Sequence, residues 1–313
     1  MLKRLALAAA LTLLPGLAAA DDRLSVILEW YVNPDHAPMV IAEANGYFAD
    51  EGLDVDLVPP ADPSMVPRMV ASGRADIGVH YQPNLYLDHA AGIDIKRFGT
   101  LVSTPLNTLT VMADGPVQSL ADLKGRKIGF SVAGIEEAVV SAMLSSASLT
   151  RDDITLVNVN FALTQSLLTG QVDATIGAFR NFELTQMAIE GEEGKAFFPE
   201  ENGVPVYDEL IYVTRSELID DDRLLRFLDA VERAAIFITN HPEEAWGLFA
   251  EAYPDLDDEL NRTAFADTIA RFSKSPTAFD AGRYQRFGAF MAENGLIEEA
   301  PEVSDISVSL YGG

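Results

Sequence analysis

The sequence predicts an α/β protein of two lobes, each a mainly parallel sheet flanked by helices, with two hinge strands joining them. Three observations lead there. Short apolar or β-branched runs alternate with helically spaced stretches through the first two-thirds of the chain, the pattern of right-handed βαβ units. The last third reads as successive amphipathic helices. Two apolar strands, at 106–113 and 209–214, stand where one pattern gives way to the next, as when a chain leaves a lobe and later returns. The expected division is a signal peptide at 1–20, a discontinuous first lobe at 21–110 and 209–313, and a second lobe at 111–208.

Taken in order, the chain opens on Lys3 and Arg4, an apolar run at 5–14 too short to span a bilayer, and small residues at Ala18, Ala19 and Ala20. This is the pattern of a cleavable export signal. Strands are expected at 24–28, 53–58, 75–79, 95–102, 127–130, 155–159 and 173–177. Helices are expected between them at 39–45, 63–71, 82–91, 134–147 and 162–169. The helical last third comprises 221–240, 242–252, 257–274 and 281–294, with Asp, Pro or Gly as punctuation. Asp220–Asp222 and Asp257–Asp258 are expected at helix starts and not in a metal site.

Composition narrows the function. The chain has 313 residues, of which 48% are hydrophobic, enough for two cores. Loss of the first 20 residues removes Lys3 and Arg4, taking 22 basic side chains to 20 against 48 acidic ones. A surface so negative repels phosphate backbones and anionic headgroups, which argues against nucleic-acid and lipid partners. With no cysteine at all, the chain has no disulfide, thiolate metal site, cysteine nucleophile or lipidated cysteine. A free monomer in a Gram-negative periplasm, with neither metal nor cofactor, is the expected form.

The candidate site begins at the loop after the first strand, where Trp30, Asn33 and His36 offer an indole, an amide and an imidazole in one turn. In open α/β sheets the ligand crevice lies beyond the carboxyl ends of the strands. Tyr81 and Gln82 follow the strand at 75–79 and occupy such a position. Ser131 and Glu136 lie between a strand and a helix, where backbone N–H groups are placed to receive a polar or anionic ligand atom. Phe179 and Glu183 follow the strand at 173–177, and Tyr207 stands beside the second hinge strand. The loop at 28–38 combines stacking surface with hydrogen-bonding groups and has no obvious nucleophile, so it reads as a grip, with chemistry a poorer fit.

Four strings, YFADEGLDV at 47–55, ASGRADIG at 71–78, LADLKGRKIG at 120–129 and LTGQVDA at 168–174, resemble the type 2 periplasmic substrate-binding proteins of ABC importers. Three others, EWYVNPDHAP at 29–38, PPADPS at 59–64 and GAFRNFE at 177–183, resemble the branch that binds thiamine pyrimidine precursors. The resemblance implies an ABC permease and ATPase as partners. It also implies a hydroxymethylpyrimidine or formylaminopyrimidine ligand held between closing lobes. Aromatic rings suit the faces of an aminopyrimidine, and a carboxylate suits its amidine-like edge. A riboflavin-like heterocycle or an alkanesulfonate such as taurine is the alternative ligand. A more distant alternative is the related pyrimidine synthase that consumes pyridoxal phosphate; the resemblance to it calls for a lysine and a histidine where this chain has His80 and Asn84, and for cysteines.

Overall fold

The first sheet is assembled from both ends of the chain. The computed structural model describes residues 22–310, so the expected signal peptide lies outside the described residues. The chain runs through β1 (Asp22–Ile27), α1 (Ala37–Ala44), α2 (Tyr47–Asp50), β2 (Leu53–Val58), α3 (Val66–Ala71), β3 (Ile77–His80), α4 (Gln82–Ala90) and β4 (Lys96–Val102). It then builds a second sheet from β5 (Asn107–Met112), β6 (Lys127–Phe130), α5 (Ile135–Ser146), β7 (Thr155–Asn158), α6 (Leu163–Leu168), β8 (Ala174–Phe179), α7 (Glu183–Ile189) and β9 (Gly194–Phe197). The strand β10 (Leu210–Thr214) returns to the first sheet. Five helices follow it: α8 (Asp222–Asn240), α9 (Pro242–Ala252), α10 (Glu259–Thr268), α11 (Ala281–Glu293) and α12 (Val303–Ile306).

Both sheets follow one plan. The first has the order β2-β1-β3-β10-β4 and the second β7-β6-β8-β5-β9. In each, three parallel strands are followed by one antiparallel strand and an edge strand. The antiparallel member is in both cases the strand that enters the sheet from the other lobe. The sheets therefore part company between Val102 and Asn107. The expected boundary at 110 falls inside β5, all of which pairs in the second sheet.

Local sequence explains the layers. Every residue of β3 is buried, as a central parallel strand with helices on both faces requires. Gly78 stands there because a Cβ would come within 2.8 Å of Val70 on α3. On α8, Leu224, Phe227, Leu228, Val231, Ala235 and Ile238 make the buried stripe, and Phe227 stacks on Phe48 with ring centroids 5.4 Å apart. Asp221 and Asp258 cap α8 and α10, each side chain accepting from a backbone N–H of the first turn.

Four elements escaped the sequence reading, β9, α7 and the single-turn helices α2 and α12, and one expected helix is shorter than its pattern. The stretch at 257–274 stays helical only to Thr268. Beyond it the backbone pairs with β4, Ser273 N–H donating to Leu101 O and Ser103 N–H to Arg271 O. A sheet edge with unpaired groups supplied a better partner than another helical turn. Among the described residues, no helix is long and apolar enough to cross a membrane.

Candidate functional site

A cavity opens between the two sheets, at the carboxyl ends of β1, β3, β6 and β8, and the crossing strands floor it. Its walls carry Glu29, Trp30, Asn33 and Asp35 from the loop after β1, Tyr81 from the start of α4, and Ser131, Val132 and Glu136 from the turn into α5. Leu163, Gly177, Phe179, Phe182 and Glu183 come from the second lobe, and Asn107 and Glu209 from the crossings. Seven of the ten residues expected from sequence meet here: Trp30, Asn33, Tyr81, Ser131, Glu136, Phe179 and Glu183.

The other three, His36, Gln82 and Tyr207, do not line the cavity. His36 is fully buried behind Glu29, with Nε2 3.0 Å from both carboxylate oxygens, while its Nδ1 accepts from Asn33 N–H at 3.2 Å. Those contacts place the ring proton on Nε2 and make His36 the holder of Glu29. Gln82 braces the hinge, its Oε1 accepting from Asp208 N–H at 2.8 Å. Tyr207 packs edge-on against Phe287 at 5.4 Å, turned into the core. Position after a strand brings a residue to the crevice, but side-chain direction decides whether it faces it.

Replacing His36 by Ala tests the first of these assignments. It would leave Glu29 buried and unpaired, so the variant should lose about 3–5 kcal/mol of unfolding free energy. A urea midpoint close to that of the parent would contradict the pairing.

Five carboxyl groups line the cavity, and all are buried: Glu29, Asp35, Glu136, Glu183 and Glu209. The chain holds three of them with its own backbone. Glu136 Oε2 accepts from Ser131 N–H at 2.6 Å and Val132 N–H at 3.1 Å; Glu183 Oε2 accepts from Phe179 N–H at 2.6 Å. Glu209 Oε2 accepts from Leu106 and Asn107 N–H at 2.5 and 2.9 Å. Asp35 Oδ1 accepts from Asn181 Nδ2 at 2.7 Å and Thr268 Oγ1 at 2.9 Å, tying the first loop to the second lobe and to α10. Thus the N–H groups of Ser131 and Val132, expected to receive a ligand atom, are already occupied.

Burial outweighs these bonds. Loss of water pushes the Glu183 carboxyl up to about 8, the Phe179 N–H opposing and the Asp35 charge adding to it. Burial likewise takes Glu209 to about 7 and Asp35 to about 6, and raises Glu136 well above the usual carboxylate range. Tyr81 is raised well above its usual value, first by burial and then by the charges of Glu29, Glu136, Glu209 and Glu183 around it. Among the described residues, no group of three or more His, Asp or Glu is placed to hold a metal ion.

Aromatic rings complete the walls. Trp30, Phe179 and Phe182 line the cavity, and at its mouth Trp30 meets Phe161 of the second lobe edge-on, with centroids 4.5 Å apart. Glu29 and Asp35 share the loop of Trp30 and were open to detection from sequence. Asn107, Leu163 and Glu209 reach the cavity only through topology.

A cavity between two such sheets, walled by strand ends and crossed by two connecting strands, has the build of the periplasmic solute-binding proteins of ABC importers. The fold matches the alkanesulfonate-binding protein SsuA from Xanthomonas axonopodis pv. citri bound to MOPS, with a TM-score of 0.73, 17% identity and coverage of 93% of this chain and 99% of that one. Within that fold the chain belongs to the NMT1/THI5 like family, whose sequence model matches residues 33–245. A Haemophilus influenzae protein named for thiamine biosynthesis is 45% identical over 292 residues, 93% of each chain. The formylaminopyrimidine-binding protein of Halalkalibacterium halodurans is 31% identical over 72% of this chain and 71% of its own. A Legionella pneumophila protein named 4-amino-5-hydroxymethyl-2-methylpyrimidine phosphate synthase is 24% identical over 92% of both.

Proposed function

We propose that this protein is the exported, periplasmic binding component of an ABC importer and captures a thiamine pyrimidine precursor, hydroxymethylpyrimidine or formylaminopyrimidine, between closing lobes. The observation that carries this reading is the cavity wall: five buried carboxyl groups and four aromatic rings, with no lysine or arginine among the lining residues. Such a wall accepts hydrogen bonds and stacks. It suits a flat ring bearing N–H donors and offers an anion no cationic side chain among the lining residues. Family membership and the 31% identical formylaminopyrimidine-binding relative point the same way. The permease and ATPase follow from the importer role.

Because some relatives bear the name of a synthase, the chemistry of the walls bears on catalysis too. A Schiff base with pyridoxal phosphate needs a lysine amine. At the position where the synthase resemblance calls for lysine, His80 is buried and paired with Asp88 at 2.7 Å. The lining favours capture of a ligand over its conversion.

Calorimetric titration with hydroxymethylpyrimidine, formylaminopyrimidine, riboflavin and taurine tests the proposal. Binding of a pyrimidine is expected, and a response to riboflavin or taurine alone would overturn it. In the same format Glu183→Gln replaces a carboxyl at the ligand edge by an amide and leaves one buried polar pairing unmade, which should weaken pyrimidine binding by about 1–3 kcal/mol, roughly 5- to 150-fold. Unchanged affinity would place Glu183 outside the contact.

A further inference from the structure

We infer that Asn181 is a positioning residue for ligand capture: its side-chain amide spans the cleft, donating to Asp35 and Thr268 of the other lobe, and so holds the cavity closed around its ligand. The inference deepens the proposed capture role and rests on that reading for what the cavity holds.

Asn181 and Asp35 belong to two of the three strings, 177–183 and 29–38, that carry the resemblance to pyrimidine binders. Within 177–183 the side chains divide by direction. Phe179, Phe182 and Glu183 line the cavity, while Arg180 pairs with Glu200 at 2.7 Å inside the second lobe. Asn181 does neither. It is buried against the first lobe, with Nδ2 2.7 Å from Asp35 Oδ1 and 2.7 Å from Thr268 Oγ1. Thr268 Oγ1 itself lies 2.9 Å from Asp35 Oδ1, so three buried polar groups from three elements meet at one point.

The receiving side is fixed before Asn181 arrives. Asp35 sits in the short turn Pro34–His36, where its N–H donates to Asn33 Oδ1 at 2.8 Å, and Thr268 ends α10. A socket built on two elements of the first lobe therefore receives one side chain of the second. Coupling to the ligand follows from chain neighbours: Asp35 lines the cavity in the loop of Glu29 and Trp30, and Asn181 lies between Phe179 and Phe182. A ligand that touches both walls sets the amide against its socket. Parting the lobes returns all three groups to water, which replaces their hydrogen bonds, so the net gain is modest and closure stays reversible. A contact made only when the lobes meet slows release and leaves encounter with the open form unchanged.

The test reads closure and kinetics separately. The chain has no cysteine, so Arg68→Cys on α3 and Gln165→Cys on α6, both exposed and one in each lobe, provide a single pair of spin labels whose separation reports closure. Stopped-flow tryptophan fluorescence with hydroxymethylpyrimidine, or with formylaminopyrimidine where that binds more tightly, gives the two rate constants. Asn181→Ala should release the ligand about tenfold faster, with association changed less than about threefold, and should lose most of the short-distance population. Asn181→Asp keeps the size of the side chain and removes its donors, so it should do the same at pH 8; circular dichroism and thermal melting establish that each variant is folded. Release at the parent's rate from a folded variant, or an unchanged distance distribution, overturns the inference. A parent that binds no pyrimidine in calorimetry removes the ligand reading alone, and the unliganded distances then decide: the parent should keep a short component that Asn181→Asp lacks, and equal distributions overturn the latch.

Discussion

Trp30→Ala should weaken pyrimidine binding by about 2–4 kcal/mol, roughly 30- to 700-fold in Kd, and abolish the ligand-dependent change in tryptophan fluorescence. The chain has two tryptophans. Trp246 is 5% exposed and packed against Phe249 and Phe265 on α9 and α10, away from the cavity, so it supplies a constant background. Trp30 lines the cavity and touches Phe161 across its mouth, so a stacked ring changes its surroundings directly. The loss combines apolar contact with the ligand face and opening of that aromatic closure. Fluorescence titration and calorimetry read the two parts. A ligand response that survives in Trp30→Ala would move the stacking surface to Phe179 or Phe182.

The unliganded protein should be more stable at pH 5 than at pH 8. Glu183, Glu209 and Asp35 hold protons in the folded state up to about 8, 7 and 6, while in the unfolded chain they titrate near 4.5, 4.5 and 3.8. Between those limits the folded state binds more protons, so unfolding releases them and stability falls as pH rises. The carboxylates with lowered values, Asp122, Asp153 and Asp221, act in the opposite sense, and their effect is confined to pH below about 4. The loss over this window is on the order of several kcal/mol, or roughly 5–10 °C in melting temperature. Scanning calorimetry across the range measures it, and Glu183→Gln should flatten the slope. A melting temperature that holds or rises from pH 5 to 8 would show that the cavity carboxyls are ionised and solvated.

Much of the fold was legible because its signals are local. Among the described residues, nine of the ten strands announced themselves by apolar runs, and α8 by its buried stripe. The strand β9 did not, because all four of its residues are only partly buried and leave no alternation to read. The helix α7 was hidden behind the residues that made 177–183 look like a loop at a site. At the cavity, Trp30, Tyr81 and Glu183 were legible as polar or aromatic groups just beyond strand ends. His36 carried the same signal, yet its ring turns back to hold Glu29.

The sequence by itself determined an α/β protein with two sheets, a chain that crosses between them twice, and a cavity fed by the loops after the parallel strands, since periodicity and strand-helix order are properties of neighbours in the chain. Only the tertiary structure decided that the cavity is acidic. Glu29, Asp35, Glu136, Glu183 and Glu209 come from four places in the chain, Glu29 and Asp35 sharing one loop, and only Glu136 and Glu183 were among the residues expected at the site. Burial together removes the water that would have kept them independent, and it is that shared loss of solvent that turns five ordinary side chains into one acidic wall.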